Sequence, residues 1–412
     1  MKYALLSVVR FWQRIPLMAR IVIGIFLGTL LALSLPQWQG ISILGTLFVG
    51  ALKAIAPVLV ALLVISSVSR AKGGLGGRFR VVVMLYVVST LLSATVAVFA
   101  SRLFPVEMAL DGTESSGLST PGGLADVFGV IASNLVRNPV EAVAEAQYLS
   151  ILLWSIIIGM ALKQVGSETS IDIVRQFADA ISRVVKWVIQ CAPFGIMGLV
   201  FSTVSESGLY IFYTYGRLLL LLVGCMLVVA FVLNPLIVGL MLRRNPYPLV
   251  FKCLRGSAVS AFFTRSSAAN IPVNMALCKR LGLNEDFYSV SIPLGSTINM
   301  CGASVVITVM TLATCHTLGV QVSLLSSLVL CIVATLGACG ASGVAGGSLL
   351  LIPMACSLFG IGGDISMQVV AVGFIIGVVQ DSMETALNSS SDVLFTATAE
   401  MYAEDIYSNP SK

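Results

Sequence analysis

Long apolar runs separated by short polar links form most of the chain. Six of these runs predict membrane-crossing helices, at residues 17–35, 41–69, 81–104, 147–165, 184–204 and 215–242. A helix needs about 20 apolar residues to cross the hydrocarbon of a bilayer, and most of the runs reach that length. A transmembrane β-barrel would instead show alternating residues in segments of about 10, a pattern that the sequence lacks. The pattern therefore predicts an all-α integral membrane protein.

The distribution of Lys and Arg predicts how these helices are oriented, because cytoplasmic loops carry an excess of both residues. Basic residues precede the first run, separate the second from the third, and follow the sixth: Lys2, Arg10, Arg14, Arg20, Arg70, Lys72, Arg78, Arg80, Arg243, Arg244, Lys252 and Arg255. The loop at 105–145 is rich in carboxylates and is predicted outside. We expect a multi-pass protein with both termini in the cytoplasm. The first helix is retained, because its basic lead-in has no small-residue cleavage site.

Two apolar segments in the C-terminal half do not fit a simple crossing. The first, at about 256–278, contains TRSSAANIP and is followed by two basic residues, which stay inside only if the segment dips into the membrane and returns. The second, at about 324–356, contains the run GACGASGVAGGS. Small residues often indicate close helix packing, but this run is small on every face. Both segments therefore predict re-entrant hairpins, whose non-helical tips must be covered by protein or water.

A further apolar span, between the two hairpins, is interrupted by PLGSTINMCGAS at residues 293–304. Interrupted helices and paired hairpins are the elements from which secondary transporters build substrate and ion sites.

The last predicted helix, at about 366–400, carries one polar stripe. At about 100° per residue its polar side chains fall within about 100° of arc: Asp381, Glu384, Thr385, Asn388 and Asp392. Ionisable groups at membrane depth each cost about 2.5–3.5 kcal/mol and usually face a cavity or a partner. The stripe predicts a binding site, and the alternative is an internal ion-pair network with Arg265.

Composition narrows the class of protein. Of the 412 residues 57% are hydrophobic and only 10% are charged, whereas soluble domains carry about 25% charged residues. The formal charge of +5 does not indicate nucleic-acid binding, because the basic residues lie at span ends. The nine cysteines lie mostly in apolar runs and are interpreted as small buried hydrophobes. We expect no cofactor.

The stripe suggests a solute and an ion. A carboxylate pairs with an ammonium group, and an asparagine amide suits a carboxylate end. Sodium is a hard cation that takes oxygen ligands, including the carbonyls freed where a helix is broken. An amino acid has the ammonium and carboxylate groups that these side chains suit, and sodium is the cation that the oxygen ligands suit.

Four features occur in the order TRSSAANIP, PLGSTINMCGAS, glycine-rich run and polar stripe. In this order they resemble the dicarboxylate/amino acid:cation symporters, which have the glutamate-transporter fold. The likeness covers almost the whole chain and is strongest towards the family's bacterial sodium/serine-threonine branch. It implies eight transmembrane helices plus two re-entrant hairpins, and a homotrimer in the bacterial inner membrane. It also implies a static scaffold, residues 1–80 and 146–214, and a moving transport domain, residues 81–104 and 215–412.

The resemblance also implies roles for single residues. Asp381 corresponds to the carboxylate that holds the substrate ammonium, and Asn388 to the amide that binds the substrate carboxylate. The other substrate positions are Ser267, Arg265, Thr385 and Glu384. One sodium site is implied at Asp392 with carbonyls of Gly295, Asn299 and Asn388. A second is implied near Thr297 and Thr335, and the partners of a third are Tyr86, Ser89 and Thr90.

Three departures from the family pattern bear on the substrate. Glu384 stands where members that carry acidic substrates have an arginine, and it is a candidate to neutralise Arg265. Cys301 replaces an aspartate that ligates the third sodium, and Ala303 replaces a threonine that contacts acidic substrates. A neutral hydroxy amino acid, serine or threonine, is therefore the expected substrate. The runner-up is a sodium- or proton-coupled carrier of dicarboxylates or acidic amino acids.

Two other classes of membrane protein fit less well. Intramembrane aspartyl proteases need a GxGD motif, but Gly362-Gly363-Asp364 is preceded by Ile361. An ion channel would not need a carboxylate that binds an ammonium group. The sequence therefore predicts a transporter rather than an enzyme.

Overall fold

The computed structural model describes residues 15–70, 77–110, 136–339 and 346–408, and all regular structure in these ranges is helical. The first half contains α1 (Leu17–Ser34), α2 (Ser42–Arg70), α3 (Gly77–Leu103), α4 (Pro139–Ala144), α5 (Tyr148–Val165), α6 (Glu168–Gln190) and α7 (Ala192–Ser207). The second half contains α8 (Tyr210–Val228), α9 (Asn234–Leu242), α10 (Tyr247–Cys253), α11 (Val259–Thr264), α12 (Ser267–Arg280), α13 (Glu285–Ile298), α14 (Cys301–Thr317), α15 (Leu324–Ala338), α16 (Ile352–Ser357) and α17 (Gly363–Ser408).

The described helices include candidates for the predicted membrane crossings. Among the described residues, five helical segments are long and apolar enough to cross a membrane: α2, α3, α8 with α9, α13 with α14, and α17. The bent pair α6 and α7 is a sixth candidate. The shorter apolar helices α1 and α5 have 18 residues each, a length of about 27 Å. A third shorter apolar helix, α15, lies where the second hairpin was predicted, and the remaining five, one and two are candidates for the eight predicted crossings.

One predicted span is wrong in its bounds. The run 184–204 was expected to be a single helix, but α6 ends at Gln190, and α7 begins at Ala192 with an axis bent by 54°. Pro193 lies in the first turn of α7, where a missing N–H is tolerated, whereas in mid-helix it would break the hydrogen-bond ladder. The apolar pattern continues through this bend and so conceals it.

Both hairpins and the interrupted helix are present. In the first hairpin, α10 and α11 form one arm through a π-helical turn, Leu254–Ala258, and α12 forms the other. This arm begins at Tyr247, nine residues before the predicted start at 256. The second hairpin consists of α15 and α16, and the centre of its glycine-rich run, residues 340–345, lies outside the described residues. Asn299 and Met300 separate α13 from α14.

The helices pack in two groups. In the first, α2 packs against α5, α6 and α7, and α1 packs against α7. In the second, α14 and α15 pack against α3, and α17 packs against both arms of the first hairpin and against α13 and α14. The division into scaffold and transport domain follows the same order along the chain, and it stays a prediction.

Two glycines of α1 allow this helix to approach α7 closely in the first group. A Cβ added at Gly24 would lie 2.2 Å from the carbonyl oxygen of Pro193, and one added at Gly28 would lie 2.5 Å from that of Met197. Only a residue without a side chain lets α1 approach α7 this closely, as is common between membrane helices.

Helix α14 is the centre of the second group. Every residue from Cys301 to Cys315 is buried, and a helix that is apolar on all sides normally lies inside its protein. The polar stripe of α17 faces the start of α14, so the polar side chains of the stripe are enclosed by protein.

Candidate substrate and cation site

The tip of the first hairpin places an arginine against the stripe. Helix α11 ends at Thr264, and the next residue, Arg265, has a φ of 52° in the left-handed region. This conformation costs a residue with a side chain about 1–2 kcal/mol. The Arg265 Nε atom donates to Asp381 Oδ2 at 2.6 Å. Their side chains are 11% and 4% exposed, so the ion pair is enclosed. This pair holds Arg265 in its strained backbone conformation.

The second oxygen of Asp381 contacts the other hairpin. The backbone N–H of Gly346 donates to Asp381 Oδ1 at 3.1 Å, and Gly346 itself has a φ of 71°. Asp381 therefore connects the tip of the first hairpin with the second hairpin through one carboxylate. This is the position at which the resemblance implies a substrate ammonium.

Glu384 also contacts the second hairpin, one turn further along α17. Its Oε2 atom accepts hydrogen bonds from Ser348 Oγ at 2.7 Å and from Gln380 Nε2 at 2.6 Å. Arg265 forms its ion pair with Asp381, so the hypothesis that Glu384 neutralises Arg265 stays a prediction. The two acids lie one turn apart on the same stripe, and the sequence gives no distance by which to choose between them.

Asn388 meets the start of α14. Its Oδ1 atom accepts from the backbone N–H of Gly302 at 2.7 Å, and its Nδ2 atom contacts Met300 Sδ at 3.4 Å. The first N–H groups of a helix have no partner within the helix, so Asn388 satisfies one of them. A Cβ at Gly302 would lie 2.9 Å from Glu384 Cα, so glycine is required for this approach.

The other two predicted substrate residues are also buried. Thr385 donates its hydroxyl hydrogen to the carbonyl of Asp381 at 2.8 Å. Ser267, the first residue of α12, is 2% exposed and lies directly after the hairpin tip. The six predicted substrate residues therefore occupy α17 and one hairpin tip.

Asn299 joins the break between α13 and α14 to the cation region of α17. Its Nδ2 atom donates to Asp392 Oδ1 and Ser391 Oγ, both at 2.8 Å, and lies 3.3 Å from the carbonyl oxygen of Asn388. Asn299 therefore contacts both the residue predicted to bind the substrate carboxylate and the residue predicted to bind sodium.

Asp392 is a buried carboxylate with one unpaired oxygen among the described residues. The side chain is fully buried, and Oδ2 has no hydrogen-bond partner among the described residues. Leaving a buried polar atom unpaired costs about 1–3 kcal/mol, and more for a charged group. The α-carbon of Gly295 is close by, because a Cβ there would lie 2.8 Å from both Asp392 Oδ1 and Tyr86 Oη. An unpaired carboxylate oxygen beside the carbonyls of a broken helix fits a hard cation.

The three residues predicted on α3 line the same region. The Tyr86 hydroxyl lies 3.3 Å from the carbonyl oxygen of Asp392. Ser89 donates to Asn234 Oδ1 at 2.8 Å and lies 3.1 Å from Cys301 Sγ. Thr90 donates to the carbonyl of its own helix at Tyr86. Cys301, which replaces the aspartate of the family pattern, therefore lies beside Ser89. The hydroxyls of all three residues contact protein atoms.

The residues predicted for a second sodium are less closely joined. Thr297 donates to the carbonyl of Leu294, and Thr335 to that of Cys331, each within its own helix. Among the described residues, Cys339 Sγ, directly after α15, donates to the carbonyl of Ile298 in α13 at 3.3 Å. Since the hairpin tip is outside the described residues, this site stays a prediction.

A buried polar cluster next to the site was missed by the sequence analysis. Ser389 Oγ accepts from Asn270 Nδ2 at 2.8 Å and from Asn274 Nδ2 at 3.0 Å, and Ser257 joins the same cluster. It fastens both arms of the first hairpin to α17. The spacing of Asn270 and Asn274, four residues apart on one helical face, was a signal that could have identified it.

The comparison with protein families matches this arrangement. A family model described as the sodium:dicarboxylate symporter family matches residues 17–401. The chain belongs to that family.

A curated protein is similar to the chain over most of the length of both. The chain is 55% identical over 387 residues to a serine/threonine transporter, SstT, of Bifidobacterium adolescentis. The alignment covers 94% of this chain and 90% of the relative. The resemblance inferred from the motifs is therefore confirmed, and so is the transporter fold.

Proposed function

We propose that the protein imports serine and threonine by symport with sodium, using elevator-type alternating access. It is a transporter rather than an enzyme, and it works as a homotrimer in the bacterial inner membrane with both termini in the cytoplasm. Its partners are the amino acid, sodium and the lipid bilayer. Membership of the symporter family supports the coupling, and the name of the 55% identical relative supports the substrates.

The observation that carries the proposal is the enclosed pair of Arg265 with Asp381. A buried carboxylate without a cation is costly, so Asp381 needs a positive partner at all times. An α-ammonium group carries the same charge as the guanidinium and can replace it as that partner. The amide of Asn388, whose Nδ2 atom has a thioether as its one acceptor among the described residues, is placed to receive the α-carboxylate.

The charge of the stripe favours a neutral substrate. An acidic side chain would add a third negative charge close to Asp381 and Glu384, and Arg265 alone would oppose it. Two unit charges 4 Å apart interact by about 4 kcal/mol at the effective dielectric constant usual in proteins. This penalty would disfavour the runner-up function, transport of dicarboxylates or acidic amino acids.

Sodium coupling is supported by the surroundings of Asp392. Its unpaired Oδ2 atom gains a partner when a cation binds, and the same carboxylate is held by Asn299, which also contacts Asn388. A cation that fixes Asn299 and Asp392 therefore also fixes the substrate-binding Asn388. Such shared ordering makes binding of one ligand favour the other.

Uptake of labelled serine into proteoliposomes tests the proposed function. We expect uptake under an inward sodium gradient and none when potassium or a proton gradient replaces it. Excess threonine should block the uptake and excess aspartate should not. Uptake without sodium would contradict the ion assignment, and competition by aspartate would contradict the substrate assignment.

A further inference from the structure

A basic cavity lies at the end of the second helix group, away from the stripe. It has a volume of about 400 Å³ and is bounded by the ends of α9 and α12, by α10, and by Met401 of α17. Arg244, Lys252 and Arg280 supply its charge, while Val238 and Leu242 form part of an apolar wall. A volume of this size lies within the usual range for small-molecule sites.

The three cations of the basic cavity have no counter-charge in the part of the chain whose side chains are described. None of them forms an ion pair there, and the lining includes no carboxylate. Arg244 Nη2 contacts Met401 Sδ at 2.9 Å, and a thioether is a weak acceptor. The positive-inside rule accounts for basic residues at this end of the protein. It does not account for three that converge on one cavity from three separate segments.

Exposed aromatic rings beside the basic cavity indicate its level relative to the membrane. Tyr247 and Phe251 precede Lys252 along α10, and their ring centroids are 6.1 Å apart. Phe231 extends the group, at 6.2 Å from Phe251. The three side chains are 43%, 50% and 39% exposed in the protein. Aromatic residues of this kind concentrate at the level of the lipid headgroups, so the basic cavity opens at the membrane interface.

We propose that the basic cavity binds the phosphate of an anionic phospholipid in the cytoplasmic leaflet. The three cations receive the phosphate, and the apolar wall and the aromatic rings contact the start of the acyl chains. Basic cavities between membrane helices on the cytoplasmic side are suited to such headgroups. A bound lipid would join the two arms of the first hairpin to the ends of α9 and α17, and so stabilise this end of the helix group.

Native mass spectrometry of the purified full-length protein tests this proposal. The probes are phosphatidylglycerol, phosphatidylcholine and inorganic phosphate. We compare the wild type with a triple variant, Arg244→Gln, Lys252→Gln and Arg280→Gln. A matched control, Lys163→Gln, Arg183→Gln and Lys186→Gln, removes the same charge from exposed positions outside the cavity.

We expect the wild type and the control to retain one phosphatidylglycerol in preference to phosphatidylcholine. The triple variant should bind phosphatidylglycerol on the order of a hundredfold more weakly, since each Lys or Arg contributes roughly fivefold near an anionic lipid surface. The single variant Lys252→Gln changes one exposed side chain and should lose roughly fivefold, which keeps the test valid if the triple variant fails to fold.

Three results would overturn the proposal. The first is equal retention by the triple variant and the wild type. The second is an equal loss in the control, which would indicate unspecific charge attraction. The third is displacement of the lipid by inorganic phosphate at similar concentration, which would indicate a site for a free anion.

Discussion

At the residue scale, the stripe of α17 contains three acids with three different surroundings. Asp381 has an arginine, Glu384 has hydroxyl and amide donors from Ser348 and Gln380, and Asp392 has an amide on one oxygen and an unpaired second oxygen. The periodicity of the sequence was sufficient to place the acids on one face. It could not assign Arg265, Ser348 and Asn299 as their partners, because these residues lie on elements more than 30 residues away.

Asp381→Asn tests the ammonium site. The change keeps the shape of the side chain but leaves Arg265 as a buried charge without a counter-charge, which costs about 3–5 kcal/mol. We expect serine uptake to fall at least about a hundredfold, measured per amount of protein in the membrane. Asp364→Asn is the matched control, because Asp364 lies on the same helix, is 90% exposed and pairs with Lys53 on the other helix group. Near-normal uptake by Asp381→Asn would remove this residue from the site.

Glu384→Gln tests the origin of substrate selectivity. The neutral side chain can keep its contacts with Ser348 and Gln380, and no positive charge is gained for a second carboxylate. We therefore expect that excess aspartate still fails to inhibit serine uptake by this variant. Aspartate uptake by Glu384→Gln would show instead that repulsion by this one carboxylate sets the selectivity.

Asp392→Asn tests the cation ligand. The amide can still contact Asn299, but it replaces the unpaired charged oxygen by a neutral group, which weakens a hard-cation site. We expect the sodium concentration for half-maximal serine uptake to rise at least about tenfold. Ser390→Ala, on the same helix with its hydroxyl bonded to the helix's own backbone, is the control. An unchanged sodium requirement in Asp392→Asn would contradict the assignment.

At the element scale, the useful sequence signals were residues that interrupt an apolar run. Glycine, proline and asparagine within apolar runs located both hairpins and the interruption between α13 and α14. The bend between α6 and α7 was missed because the apolar run continues through it, and a proline just after a break is acceptable as the start of a new helix. The start of the first hairpin was also missed, since Lys252 within Tyr247–Cys253 was counted among the basic residues of the cytoplasmic loop.

Gly302→Ala tests the approach of α14 to α17. The added Cβ would meet the backbone of Glu384 at 2.9 Å, and backbone cannot move aside as a flexible side chain can. We expect a loss of stability of about 1–3 kcal/mol, seen as a lower melting temperature, together with impaired uptake. Gly377→Ala is the control, since nothing lies within 4 Å of a Cβ there. Equal melting temperatures for the two variants would contradict the close approach.

At the scale of the whole molecule, polar groups are concentrated where the second helix group encloses its broken elements. The substrate region and the cation region share Asn299 and Asn388, and both lie between α17 and the start of α14. The sequence could predict these regions because charged residues make up only 10% of the chain, and ionisable groups at membrane depth usually face a cavity or a partner. It could not predict that the side chain of Asn299 would contact both of them.

The sodium dependence of serine binding tests the central claim most directly. Serine affinity would be measured by calorimetry on the purified wild type, in sodium buffer and in potassium buffer of equal ionic strength. The account predicts binding at least about tenfold tighter in sodium, a coupling within the usual range, because the cation at Asp392 orders Asn299 and Asn388. Equal affinity in the two buffers would contradict the proposed link between the cation and the substrate.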